Sequence, residues 1–313
     1  MKVITPSVTF DQPLWLKAFE IATSKNLNIV VRLGGFHTLM SFLGSIGTVM
    51  EGSGLDSLLE LVYAKSSIVH ILSGKAIARA LRAHSLVESA LMGLLFEGLK
   101  DTFEASTIQE LYKNFLNGVV QSDEINENGN IFKLHDLIES YKSKLSVSRT
   151  AKLWLQYLEY VQVVKMFIRA ERTGNWHEHL EAMRLMLNLF AATGHINYAR
   201  SARLYLQSMK SLNVDHPWLY NQFCKTGYHC IRRSDRYWAG LWPDLVIEQH
   251  MMRAIKSSGG LTRGRGMAET TRNLWISTLH ECGAIHESMS TRNIALKQVC
   301  NTVNVVSQDR KEI

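Results

Sequence analysis

The sequence predicts a mainly α protein carrying a small α/β unit, strand then helix then strand, at its amino end. Two β-branched runs flank a helical stretch within the first 35 residues. Beyond them apolar residues recur at helical spacing. Of the four prolines only Pro13 falls between Gln12 and His216, so long helices can run there unbroken.

Val3 to Phe10 reads as a strand ending at Asp11, and Leu14 to Ser24 as a helix carrying Leu14, Ala18, Ile21 and Ala22 on one face. Asn28 to Leu33 is a compact apolar run closed by Gly34-Gly35, a second and buried strand. Two strands alone do not make a stable sheet, so further strands or an incomplete fold are expected.

Helix is expected over Phe36 to Met50, with Gly52 and Gly54 at cap positions. Ser73-Gly74 opens a long helix with Ile77, Leu81, His84, Val87, Leu91 and Leu94 on one face. Ser122 to Asn130 is polar and marks a loop or internal boundary. From Arg149 to Arg172 the polar residues Gln156, Glu159, Gln162, Lys165, Arg169 and Arg172 form one narrow stripe, the pattern of a central, mostly buried helix. Thr173-Gly174-Asn175 ends it. Helices follow over Trp176–Ala192 and His195–Leu212, and the short link between them makes them antiparallel neighbours. Gly227 to Trp242 is irregular, basic and aromatic; Asp244 to Ile255 is helical; Ser257 to Gly266 is a glycine-rich loop; Met267 to about Val305 is helical again. The expected organisation is a strand–helix–strand unit over 1–48, a helical bundle or insertion over 49–226, and a basic helical region over 227–313 that packs back on the core.

Apolar residues at 46% and charged residues at 20% are globular proportions and exclude a disordered chain. The net charge of +7 is localised. Residues 196–313 hold 16 Lys and Arg against 9 Asp and Glu, while the rest of the chain balances. Such a distribution favours an anionic partner, nucleic acid first, although a basic surface also serves solubility. Cys224, Cys230, Cys282 and Cys300 lack a metal-binding C-x-x-C spacing, which fits a reduced, intracellular setting. No apolar leader follows Met1, and polar residues interrupt the most apolar run, Leu153 to Ile168, so neither a secretory signal nor a membrane span is expected.

Several strings carry a resemblance: TFDQPLW at 9–15, RLGGFHTLMSFLGSIG at 32–47, RAERTGNWHEHL at 169–180, IRRSDRYWAGLWPDLVIEQ at 231–249 and GGLTRGRGMAET at 259–270. Together they resemble a family of proteins derived from transposable elements, distantly like transposases with a ribonuclease-H-like fold and a helical insertion. The similarity spans residues 9–285. It implies an incomplete ribonuclease-H-like core and carboxylates converging on Mg²⁺ or Mn²⁺ for DNA strand cleavage or transfer. On that mapping Asp11 and Glu248 are the catalytic and metal-binding acids, with Asp244 and Glu171 as further candidates. An acid is wanted after the second strand, where this chain has Gly35. The expectation is therefore a truncated or inactive transposase-like remnant that binds nucleic acid. A metal-dependent strand-processing enzyme and a helical protein-interaction scaffold are the alternatives. DNA is the expected partner, a homo-oligomer is open, and the location is nuclear if DNA is bound.

Three basic clusters stand beside plainer readings. Lys75, Arg79 and Arg82 follow Ser73-Gly74 along one helix face, suited to a phosphate or simply solvated. Arg232, Arg233 and Arg236 interleave with Tyr237 and Trp238; either these contact a nucleic-acid strand, or the aromatics anchor the loop while Asp235 neutralises an arginine. Arg263 and Arg265 sit among glycines, as a phosphate clamp or an interhelical turn. His177 and His179 flank Glu178, but no H-E-x-x-H motif occurs, and lone helical histidines are usually structural.

Overall fold

The computed structural model describes residues 5–99, 129–252 and a few isolated positions beyond them. Residues 1–246 form one compact unit and 247–313 a second. The first is mainly helical with a small amino-terminal strand–helix–strand unit. Strand β1 (Ser7–Phe10) pairs in parallel with β2 (Val30–Leu33), Ser7 opposite Val30 and Phe10 opposite Leu33, across helix α1 (Gln12–Ser24). Among the described residues this sheet has two strands.

Asp11 ends the strand by starting the helix. Its carboxylate accepts from the Leu14 amide, and Pro13 occupies the first turn, where a missing N–H costs nothing. Trp15 is fully buried, stacks on Phe19, meets Tyr205 edge-on and donates its indole N–H to the Val31 carbonyl at 3.2 Å. All four residues of β2 are buried, as in a parallel strand covered on both faces. Arg32 is carried into the core by that placement.

Around this unit stand α2 (Gly35–Val49), α3 (Leu55–Glu60), α4 (Lys65–Leu72), α5 (Ile77–Leu99), α6 (Gly129–Leu145), α7 (Arg149–Thr173), α8 (Trp176–Ala192), α9 (Ile196–Lys210), α10 (Leu212–Asp215) and α11 (Pro217–Thr226). A two-residue antiparallel pair follows, β3 (Ile231–Arg232) with β4 (Gly240–Leu241), then α12 (Pro243–Val246). One hydrophobic core runs from Trp15 to Trp242. In the second unit, Ile247–Met252 forms a π-helical turn. The expected helix over 267–305, the loop over 257–266 and most of the loop over 122–130 lie outside the described residues.

The most fully buried of the described helices is α2 rather than α7. Nine of its fifteen residues are buried, and it touches α4, α5, α7, α8 and α12. Small residues allow this: a Cβ on Gly47 would stand 2.1 Å from the Leu72 carbonyl oxygen. The narrow polar stripe of α7 suggests a helix buried on most sides, yet α2 is the more apolar of the two. Helix α7 keeps one buried line, Tyr157, Val161, Val164, Phe167 and Glu171, and is tied to α5 by polar bonds. Glu88 accepts from Gln162 and Lys165, and His84 Nδ1 lies 2.8 Å from the Tyr157 hydroxyl. The Thr173-Gly174-Asn175 break is as the sequence predicts. Gly174 is left-handed at φ +77°, and Asn175 caps α8 by accepting from Glu178 N. Gly227, at φ +64°, packs back to back on Gly174, where a Cβ on either would meet the other's Cα within 3.0 Å.

Burial pushes the His84 pKa from 6.5 down to about 4. The unfolded chain therefore binds a proton that the folded chain refuses. The contribution to stability is complete above pH 6.5 and is lost as pH falls toward 4, amounting to on the order of 3 kcal/mol. Chemical denaturation at stepped pH will show wild type losing stability over this window more steeply than His84→Gln; parallel pH profiles would refute the assignment.

Candidate functional site

Three places bring together the chemistry singled out in the sequence. The first is the carboxyl edge of the parallel pair, the usual ligand edge of such a unit. Asp11 stands at the end of β1, and Gly34 at the end of β2 donates to the Phe10 carbonyl at 2.7 Å. Asp244 arrives from α12. It is 4% exposed, and its two oxygens accept from the amides of Phe36 and His37, each at 3.1 Å. The His37 ring nitrogen Nδ1 stands 3.1 Å from the same carboxylate. Asp244 thus closes the amino end of α2, where unsatisfied N–H groups and the helix dipole favour an anion. Burial first, then Asp244 and Asp11, raise the Tyr198 pKa, so both carboxylates act on one side chain.

The acid missing at Gly35 acquires a physical explanation here. A Cβ on Gly35 would lie 2.5 Å from Cδ1 of Trp242, whose ring fills the space. A Cβ on Gly34 would lie 2.4 Å from an Asp244 oxygen. The edge therefore receives its second carboxylate from α12 and has no room for one on α2. Glu248 belongs to the second unit, exposed on the π-helical turn.

The second place is buried. Glu171 on α7, His179 on α8 and His229, which follows α11, are each no more than 1% exposed, and one ligand atom from each lies within 4.8 Å of the others. His179 Nδ1 approaches Glu171 Oε1 to 2.6 Å, and its Nε2 lies 3.1 Å from the Tyr205 hydroxyl. Arg32 lies alongside, donating Nη1 to the His229 carbonyl, with its guanidinium over the rings of Trp176 and Phe223. Burial, then Arg32 and His179, hold His229 well below its usual pKa. Burial and Glu171 push the neighbouring Cys230 thiol up to about 11, so that thiol is protonated and unreactive at neutral pH. Cys224 is likewise a free thiol.

Sequence reading named Glu171 but attached it to a different site, and set His179 beside Glu178. In the fold Glu178 faces Arg169, while Glu171 turns to His179. One signal was available: Glu171 falls outside the polar stripe of α7, on the line of Val164 and Phe167. Nothing in the sequence pointed to His229.

The third place is the β3–β4 hairpin. Residues 231–238 are all exposed, with Tyr237 at 74% and Trp238 at 51%. The anchor is Trp242, 4% exposed, with the Arg172 guanidinium 5.4 Å from its ring centre. Arg172 also donates to the Gly240 carbonyl at 3.0 Å. Arg232 braces the turn by donating to the carbonyls of Thr173 and Arg236. Among the described residues Asp235 forms no ion pair with an arginine, so it does not neutralise the cluster. Arg233 lies close enough to help lower the Arg172 pKa, after burial. Lys75, Arg79 and Arg82 are exposed; Arg79 reaches Ser67 Oγ at 3.4 Å, as on a solvated face. Arg263 and Arg265 lie outside the described residues.

Fold and sites together define a helical protein with a parallel strand pair, a buried acid–imidazole cluster and a cationic, aromatic hairpin. No described helix is long and apolar enough to cross a membrane. Comparison with protein families matches residues 1–312 to the family described as Domain of unknown function (DUF8702), and the chain belongs to that family. Comparison with curated proteins found no match, and comparison with solved structures found none.

The two edge carboxylates differ in what they support. Asp244→Ala removes a buried carboxylate from two part-buried amides of α2 and is expected to cost about 2–3 kcal/mol, against about 1 kcal/mol for the more accessible cap in Asp11→Ala. Urea unfolding of both variants checks the order; equal losses would show that Asp244 is not the principal cap of α2.

Proposed function

We propose that this chain is a nucleic-acid-binding protein of transposable-element ancestry, a non-catalytic transposase-like remnant that grips a single strand with its β3–β4 hairpin. The observation that carries this is the exposure of Tyr237 and Trp238 directly after the exposed Arg232, Arg233 and Arg236, while Trp242 anchors the hairpin. Exposed aromatic faces accept stacked bases of any sequence, and flanking guanidinium groups pair with phosphates. The excess of 16 basic over 9 acidic residues across 196–313 supplies a field that draws a polyanion. The ancestry rests on the strings quoted from the sequence. The parallel β1–β2 pair with Asp11 at its carboxyl edge is consistent with an incomplete ribonuclease-H-like core. A protein of this kind would act on DNA in the nucleus.

A second reading, metal-dependent strand processing, draws on Asp11 and Asp244 sharing one edge. It stands second because both carboxylates already cap helices. Under it, Mg²⁺ or Mn²⁺ would support DNA nicking that Asp11→Asn abolishes.

Binding is to be measured by anisotropy of labelled single-stranded DNA at stepped salt. Affinity is expected to fall as salt rises, and to fall about tenfold or more in Trp238→Ala, since one stacked base contributes roughly 1–3 kcal/mol. Arg233→Ala with Arg236→Ala should flatten the salt dependence. Affinity indifferent both to salt and to these substitutions would sink the proposal.

A further inference from the structure

We propose that Glu171, His179 and His229 hold a single transition-metal ion of the zinc class inside the core. Two imidazoles and one carboxylate are a donor set for such an ion, whereas hard Mg²⁺ takes oxygen. The three ligand atoms lie within 4.8 Å of one another, and their closest pair stands at 2.6 Å. Donors sharing one tetrahedral zinc ion stand ~3.3 Å apart given its bond lengths, so the ion needs side-chain shifts of under about an ångström.

The polar atoms argue the same way. Both Glu171 oxygens, His179 Nδ1 and both His229 ring nitrogens are buried without a hydrogen bond, and the 2.6 Å approach of Glu171 to His179 lacks hydrogen-bond alignment. Buried polar atoms are seldom left this way, and here five converge. Arg32 does not resolve the deficit. Its Nη1 goes to the His229 carbonyl and its face lies over two aromatic rings, its Nε is itself buried without a hydrogen bond, and no ion pair joins it to Glu171. Its positive charge makes the Glu171 carboxylate necessary to any cation held here. His179 has the form of a metal ligand, one ring nitrogen toward the cluster and the other set by the Tyr205 hydroxyl at 3.1 Å. Near-complete burial shields such an ion from bulk solvent and leaves its fourth tetrahedral position to one enclosed water, so its role is to clamp α7, α8 and the segment after α11 together. This inference is independent of the hairpin: loss of DNA binding would leave it standing.

The test uses the full chain, purified without metal-affinity resin and analysed for metals. One zinc per chain is expected. Chelation should lower the melting temperature, added zinc should restore it, and Co²⁺ loading should give visible d–d absorption. Glu171→Gln, His179→Gln and His229→Gln should each lose the ion. Tyr205→Phe should keep it with affinity weaker by roughly 10–100-fold. A folded wild-type chain that carries no transition metal and whose melting is unmoved by zinc overturns the proposal, whatever the variants do. So does full metal content in folded Glu171→Gln, His179→Gln and His229→Gln.

Discussion

The first amides of α2 have no helical partner, and the carboxylate that answers them comes from Asp244, 208 residues further along the chain. Much else depends on that bond. Helix α2 is the most fully buried of the described helices and its amino end is part-buried, so its first amides gain from an acceptor within the protein. Reaching it brings α12 over the carboxyl edge of β1 and β2, and brings Trp242 into the space above Gly35. The glycine pair Gly34-Gly35 is the counterpart of this closure, since a side chain on either would strike Asp244 or Trp242.

Trp242 links that edge to the basic hairpin. Its indole ring fills the core while Arg172 covers it and holds the Gly240 carbonyl. With the hairpin base fixed, the turn can present Tyr237 and Trp238 to solvent. Gly174 against Gly227 performs the matching task on the other side, letting the end of α7 meet the end of α11 backbone to backbone. That approach sets Glu171 and His229, from distant parts of the chain, beside His179. A polar cluster on so apolar a floor is costly unless its members satisfy one another or share an ion.

Much of the helical framework was legible because it depends on local chemistry. Pro13 after Asp11 reads as a helix start, Gly174-Asn175 as one stop and the next start, and the alternation of strand and helix before Gly35 as a parallel unit. Helix α2 lies within a residue of its expected bounds at each end, but the closeness of its packing is not legible there: Gly35, Gly44 and Gly47 gain their worth only from how near a neighbour comes. Residues 231–242 show the same limit. Cations and aromatics were recognised together, but Tyr237, Trp238 and Trp242 are equivalent in sequence, and only packing separates the two at the surface from the one in the core.

The sequence by itself therefore determined the elements: where helices begin and end, which runs are strands, and that the later part of the chain carries the positive charge. Local hydrogen bonding and side-chain periodicity decide these things, and both act over a few residues. Only the tertiary structure decided which polar groups meet. Asp244 meets the α2 terminus, and Glu171, off the polar stripe of α7, meets His179 and His229. Such pairings depend on which buried groups lack a partner once the apolar surfaces have closed, a condition set by contacts across some 200 residues that no local pattern records.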